Sequence, residues 1–476
     1  MQKEELKKRA LSMVQIPHHF QPLIEEYVEQ DNGTGEAIFS WTNEKQDEDI
    51  MIQLDFAGNL TSLTIDLHDE DVDVPLNEAK RRELAEQFLL SHYPDALTDL
   101  TLYKTKQLTR AQRFYYEQLV MDLPLDCVGC FIDIDSAGNV VEFRFEAIKK
   151  VPEIPQSLIS KDKLMENLKS RLDFQLTIAN LLVEVYDVAE AGLRLVYEPV
   201  TFAKYKADVM EPTLTIVHEE EVETEYAALP PISKEIARDD LTIEKIIGIT
   251  ERMEIIREVD MGEETGIVWR DRDWEMNEGD LTWNGLFIRR TEDTVKAFIS
   301  KKTGKVRSFI WFNQRSGNLQ LTREECYLKA IKFLQRQLPD YYQYLQLIVR
   351  EEEEENDDSN KSESFTFHMH YGKGIMFQLE MIMVNVNCNT GLIDHYSGPR
   401  FEIEQLNQIP DKPAISQKEA VEIFINHLDF DLEWNKNYES ETEEYNLVYR
   451  VCNRESRTPI RYIDAMTGAI ISDRDY

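Results

Sequence analysis

Two periodicities alternate along this chain. In NEAKRRELAEQFLLSHYP (77–94) Leu84, Phe88 and Leu89 share one face and Pro94 marks the stop, which predicts an amphipathic helix. SKDKLMENLKSRLDF opens on Ser160 as an N-cap and sets Leu164, Leu168 and Leu172 four apart. SQKEAVEIFINHLDF repeats the arrangement with Ser416, Ala420, Phe424 and Leu428, and TREECYLKAIKFLQRQLP with Thr322 as its cap. Between the helices the period shortens to two. Five segments read as a strand, a short turn holding a glycine, and a second β-rich strand: LDFAGNLTSL (Gly58), DIDSAGNVVEF (Gly138), SKKTGKVRSF (Gly304), VNCNTGLIDHY (Gly391) and IDAMTGAIIS (Gly468). A tight hairpin needs a residue at positive φ, and glycine takes that conformation without a Cβ clash. ADVMEPTLTI (207–216) stands where a sixth copy is expected, with Pro212 in place of the glycine.

These elements recur in order. QFLLSHYPDAL (87–97) matches KFLQRQLPDYY (332–342), IQLDFAGNLTSLTI (52–65) matches AFISKKTGKVRSFI (297–310), and LISKDKLMENLKSRLDF (158–174) matches AISQKEAVEIFINHLDF (414–430). The offsets are 245, 246 and 256, so the chain reads as a duplication. The expected halves are 1–230, with units at about 1–70, 75–150 and 155–220, and 236–476, with units at about 236–312, 320–400 and 410–476. Pro230-Pro231 joins them, and PEIPQS (152–157) and IPDKPAIS (409–416) mark matching joints within each. The acidic tract REEEEENDDSNKSES (350–364) reads as a solvated hairpin loop. The fold class is α+β, each unit a helix packed on an antiparallel sheet.

YIDAMTGAII (462–471) resembles the last hairpin of the PepSY pattern. The duplicated three-unit halves resemble the YcdB/YcdC repeated-domain family of bacilli over nearly the whole chain. The resemblance implies tandem PepSY-like units, a type found in protease propeptides and membrane-associated regulators, and so a protein or peptide partner such as a peptidase. Secreted relatives begin with an export signal. The charged start MQKEELKKRALSMVQI has no apolar h-region, so an extracellular protease is not the expected partner.

Composition narrows the partners. Against 53 Lys and Arg stand 90 Asp and Glu, a formal charge of −37, which repels nucleic acid and anionic membranes and favours basic segments. No apolar run is long enough to insert in a membrane. Five cysteines in 476 residues form no disulfide framework, which places the chain in the cytoplasm.

Candidate chemistry is sparse. Cys127 and Cys130 form a C-x-x-C, but strand residues follow where a redox site needs a helix, and no second C-x-x-C completes a zinc site. At the offset of 253 that pairs Gly138 with Gly391, they fall on Glu380 and Met383, so they read as structural thiols. His368 and His370 share a strand face, a spacing that can ligate metal, and align with Tyr115 and Glu117 in the other half; His395 is nearby in sequence. DIDSAGN lacks the ligands of a calcium loop. Phosphate-loop, H-E-x-x-H and G-x-S-x-G motifs are absent. The tryptophans, dense in VWRDRDWEMNEGDLTWNGLF (268–287), read as core. The expectation is a non-enzymatic protein- or peptide-binding module with no cofactor and no assigned metal site. The alternative is a cytoplasmic metal or thiol sensor using Cys127, Cys130, His368 and His370.

Overall fold

The computed structural model describes residues 1–29, 34–68, 75–200, 204–211, 225–232, 242–275, 279–312, 315–349, 362–372, 374–437 and 444–474. Pro212 and most of the acidic tract lie outside the described residues. The helices are α1 (Lys3–Met13), α2 (Glu78–His92), α3 (Ala96–Asp99), α4 (Lys161–Arg171), α5 (Ile243–Ile247), α6 (Trp283–Thr291), α7 (Arg323–Gln337), α8 (Ile403–Leu406) and α9 (Gln417–His427). The strands of the first part are β1 (Gln21–Glu29), β2 (Gly35–Thr42), β3 (Asp49–Asp55), β4 (Leu60–Asp66), β5 (Leu100–Gln107), β6 (Ala111–Val120), β7 (Leu123–Asp135), β8 (Val140–Glu146), β9 (Asp173–Leu181), β10 (Gly192–Val200), β11 (Lys204–Lys206) and β12 (Glu225–Ala228). Those of the second are β13 (Met253–Asp260), β14 (Glu264–Asp271), β15 (Thr294–Ser300), β16 (Val306–Trp311), β17 (Leu345–Val349), β18 (Ser362–Tyr371), β19 (Ile375–Asn387), β20 (Ile393–Ser397), β21 (Leu428–Asn437), β22 (Glu444–Asn453), β23 (Ile460–Asp464) and β24 (Ile470–Ser472).

Helix starts follow local chemistry. Thr322 and Ser416 each accept from the backbone three residues on, while Glu325 and Glu419 reach back, so both close a capping box. The Asn77 side chain caps α2, accepting from the Lys80 amide. Ser160 occupies the N-cap of α4 without a side-chain cap bond. Helix α7 buries Cys326, Ala330, Ile331 and Leu334, which its 3.6-residue period sets along one stripe.

All five hairpin glycines sit at positive φ: 90° at Gly58, 99° at Gly138, 68° at Gly304, 66° at Gly391 and 74° at Gly468. In all five turns the polar residue that ends the first strand also ties the loop: the Asp55 carboxylate accepts from the Asn59 backbone and the Ser300 hydroxyl from the Thr303 backbone. The Asp135 carboxylate accepts from the Gly138 and Asn139 backbones, Asp464 from Met466 and Thr467, and the Asn387 side chain from Asn389 and Thr390. The turns come in two lengths. The Gly58 and Gly138 amides donate to carbonyls three residues back, and those of Gly304, Gly391 and Gly468 to carbonyls four back.

The first eight strands form one antiparallel sheet in the order β1-β2-β3-β4-β8-β7-β6-β5, and β13 to β20 repeat it as β13-β14-β15-β16-β20-β19-β18-β17. Two repeated α+β domains therefore account for most of the chain. The longer turn changes the expected equivalences. Asp133 pairs with Glu142 and Asn385 with His395, so Asp133 matches Asn385 at an offset of 252. Cys130 then matches Ile382, not Met383, and Cys127 matches Leu379, not Glu380. Phe114 pairs with Ile132 as Phe365 pairs with Val384, so His368 matches Glu117, not Tyr115, and His370 matches Leu119, not Glu117.

The remaining strands exchange partners between the two parts of the chain. β23 pairs with β10, whereas β22 pairs with β11. The bonds around this seam are reciprocal. Tyr197 Oη donates to the Ile415 carbonyl and Tyr449 Oη to the Ile159 carbonyl, each at 3.0 Å. The Ala465 amide donates to Leu195 and the Ala207 amide to Leu447, each at 2.9 Å. β9 joins β19 through a short parallel pairing, Met376 with Thr177 and Phe377 with Ile178.

Candidate functional site

Cys127 and Cys130 lie on a distorted stretch of β7. Its register against β6 shifts between Glu117 and Leu119, Gly129 has φ 119°, and Cys127 itself has φ 56°. The bulge divides the stretch between two cores. Cys130 packs with Tyr116 and Ile132, while Leu125 and Val128 pack with residues of the second part of the chain. The Trp434 indole donates to the Val120 carbonyl at 3.0 Å across the same joint. Burial and the nearby Glu117 push the Cys130 thiol up to about 12, so it is a core group and not a nucleophile. Cys127 is exposed.

The structure brings His368 and His370 together but does not add the cysteines to them. Among the described residues, the group of three or more His, Cys, Asp and Glu side chains with mutually close ligand atoms is Asp47, Glu48 and His68. His68 there lies 2.8 Å from Glu48, whose carboxyl is drawn down to about 2 by hydrogen bonds from the His68 backbone and ring. His368 Nδ1 and His370 Nε2 stand 3.4 Å apart, and the Tyr226 ring packs against both. His395 is on β20, beyond β19.

Two groups escaped the sequence reading. Cys326 and Cys388 face each other at 3.9 Å, sixty-two positions apart with no spacing motif; burial and Cys388 push the Cys326 thiol up to about 12. Glu117 is raised to about 7 by burial and by Asp126.

A cleft of about 600 Å³ opens beside the exchanged strands, lined by Glu198, Gln378, Arg450, Arg457, Arg461 and Arg474 among others. Its guanidinium groups are already engaged: Arg450 with Glu433 at 2.8 Å, Arg457 with Asp429 at 2.6 Å, Arg461 with Asp473 at 2.7 Å, and Arg474 with the Val183 carbonyl at 2.5 Å. Among the described residues, no cysteine, histidine or lysine lines it. The arrangement of guanidinium, carboxylate and hydroxyl groups can hold a polar group.

The sheet edges differ more sharply. Only residues 43–48 separate β2 from β3, but 272–293 separate β14 from β15, and this longer segment covers β1. The Glu25 amide donates to the Leu281 carbonyl at 2.8 Å, Arg289 reaches the Leu23 carbonyl, and Leu286 packs on Ile24 and Ile38. The expectation that the tryptophans of this region are core holds for Trp269, which is buried. It fails for Trp283, which is exposed because α6 turns Leu286 and not Trp283 toward β1. The matching edge, β13, pairs with β14 and shows Ile255 and Ile256 to solvent, 53% and 46% exposed.

The family model described as the YcdB, YcdC repeated domain matches residues 3–147 and again 237–400. Two similar relatives come from Bacillus subtilis (strain 168). The uncharacterized protein YcdC is 29% identical over 458 residues, covering 94% of this chain and 96% of its own. The uncharacterized protein YcdB is 30% identical over 477 residues, covering 98% and 97%. Among solved structures, the Bacillus megaterium YpeB C-terminal domain matches at 15% identity and a TM-score of 0.24, covering 49% of this chain and 94% of that one. No helix among the described residues is long and apolar enough to cross a membrane.

Proposed function

The chain belongs to the YcdB/YcdC repeated-domain family, and on that premise we propose that it is a protein- or peptide-binding module that receives an extended segment along the β13 edge. The observation that carries this reading is the contrast between the two equivalent edges: β1 is covered by residues 281–289, and β13 exposes two isoleucines. Sheet edges are usually protected by charge, proline, bulges or a covering segment. β5 carries Lys104 and Lys106, and β1 has Pro22 and a bulge besides its cover. β13 has a bulge at Ile256 and no cover among the described residues. Strand addition supplies affinity through the backbone and selectivity through alternate side chains. Glu254, Glu258 and Asp260 outnumber Arg257 on this strand, which favours a segment that alternates apolar and basic residues.

In this reading the units are of PepSY type, the chain catalyses no reaction of its own, and it works in the cytoplasm, a placement that rests on its five free cysteines. The test is selection of binders from a random peptide library, followed by hydrogen exchange of the complex. Bound peptides are expected to protect 253–260, to be rich in basic and apolar residues, and to be lost in Ile255→Lys/Ile256→Lys protein of unchanged circular dichroism. Peptides that bind this variant equally well, or protect another region, would sink the proposal.

A further inference from the structure

His368 and His370 are not held as two ordinary neighbours on one strand face. The register of β18 against β19 breaks between them: His368 pairs with Met381, and His370 with Met376. The intervening residues of β19 swing across to β9, where Phe377 pairs with Ile178. At this break His368 Nδ1 stands 3.4 Å from His370 Nε2. Two nitrogens bound at about 2.0–2.1 Å to one tetrahedral ion stand about 3.3–3.4 Å apart, so the rings already have the bite of a metal chelate. His368 also hydrogen-bonds the Phe377 backbone, the kind of outer contact that fixes a ligating imidazole. The Tyr226 ring packs edge-on against His370, with centroids 4.7 Å apart, and limits its rotation.

The pairing also selects the metal. Directly paired residues share a face of the sheet, with Cβ atoms about 4.5–5.5 Å apart, within the span of a methionine side chain. On the β19 side the groups paired with the two imidazoles are therefore thioethers, and on the β17 side His368 pairs with Gln346, an uncharged amide. Thioether sulfur is a soft donor that prefers copper(I) to zinc, calcium or magnesium. We propose that His368 and His370 are the imidazole ligands of a soft-metal site of the copper(I) class, completed by the thioethers of Met376 and Met381. The site is independent of the β13 edge and of the cysteines.

The test is anaerobic titration of the full chain with copper(I), read by the ring nitrogen signals of the histidines and the methyl signals of the methionines. This readout separates the site from copper held by the thiols. The expected result is that His368 and His370, alone among the nine histidines, shift together and saturate with one equivalent, and that the Met376 and Met381 methyls move with them. His368→Ala is expected to weaken this binding at least tenfold, and Met381→Leu several-fold for copper(I) with little change for zinc(II). Ring signals that stay unmoved while the thiols saturate would overturn the site. Rings that move without the methyls would overturn the thioether ligands and the copper(I) class. Circular dichroism of each variant separates loss of metal from loss of fold.

Discussion

Glu117 makes the stability of this chain depend on pH in a direction opposite to that of most carboxylates. It lies on β6 opposite Gly129 of the β7 bulge, and burial, helped by the negative charge of Asp126, raises its carboxyl from 4.5 to about 7. A raised carboxyl holds its proton more tightly in the folded chain than in the unfolded one. Its contribution is complete below pH 4.5 and is lost as pH rises toward 7. The displacement corresponds to an upper bound of about 3 kcal/mol, and partial exposure to solvent reduces this to about 1–3 kcal/mol. Replacing Glu117 with Gln removes the charge and keeps the shape. Urea unfolding of both proteins at several pH values isolates the effect, because other titrating groups cancel in the difference. The variant is expected to match the parent near pH 4.5 and to exceed it by about 1–3 kcal/mol at about pH 8. A difference that does not change with pH would refute the reasoning, and a parent favoured at the alkaline end would reverse its sign.

Two further outcomes test the bulge and the seam. Cys127→Ser should change stability by less than about 0.5 kcal/mol, whereas Cys130→Ser should cost about 1–3 kcal/mol because a hydroxyl is placed in a core, both read from urea midpoints. Lys204 and Arg450 are directly paired across the exchanged strands, so Lys204→Cys/Arg450→Cys protein should form an intramolecular disulfide on oxidation, identified by mass spectrometry of its peptides. Failure to link these positions in the monomer would argue against the exchange.

What was legible in the sequence was what local chemistry decides. Glycine at positive φ specifies each turn within a few residues, helped at Asp135, Asn387 and Asp464 by the side chain that ends the first strand, and Thr322 with Glu325 specifies a helix start. What was not legible depended on distant or equivalent partners. The β22 edge meets the same backbone pattern whether β11 or β23 pairs with it, so the exchange leaves no local mark. Trp283 reads as core until α6 is seen against β1, more than two hundred residues earlier. A single additional residue in the Gly391 turn displaced the comparison of Cys130 by one position, from the apolar Ile382 to Met383. The two histidines were visible as a pair, but the register break that sets Met381 opposite one and Met376 opposite the other is announced by no periodicity.

The duplication itself shows where chemistry has diverged. Facing α2 and α7, matched positions remain apolar: Phe114 and Phe365, Tyr116 and Phe367, Ile132 and Val384 are all buried. The opposite face has changed character. In the first part Arg113 binds Asp133 in a bidentate pair at 2.7 and 2.8 Å and reaches Glu142, closing a saturated ionic cluster. In the second part the matched positions are Ser364, Asn385 and His395, and farther along the same two strands His368 of β18 pairs with Met381 of β19. Packing requires the first set of positions to stay apolar and sets no such demand on the second. The face away from α7 has lost the charged trio that closes its counterpart and carries a hydroxyl, an amide, imidazoles and a thioether instead, so the duplicated sheets differ in chemistry on this face while keeping the same packing on the other.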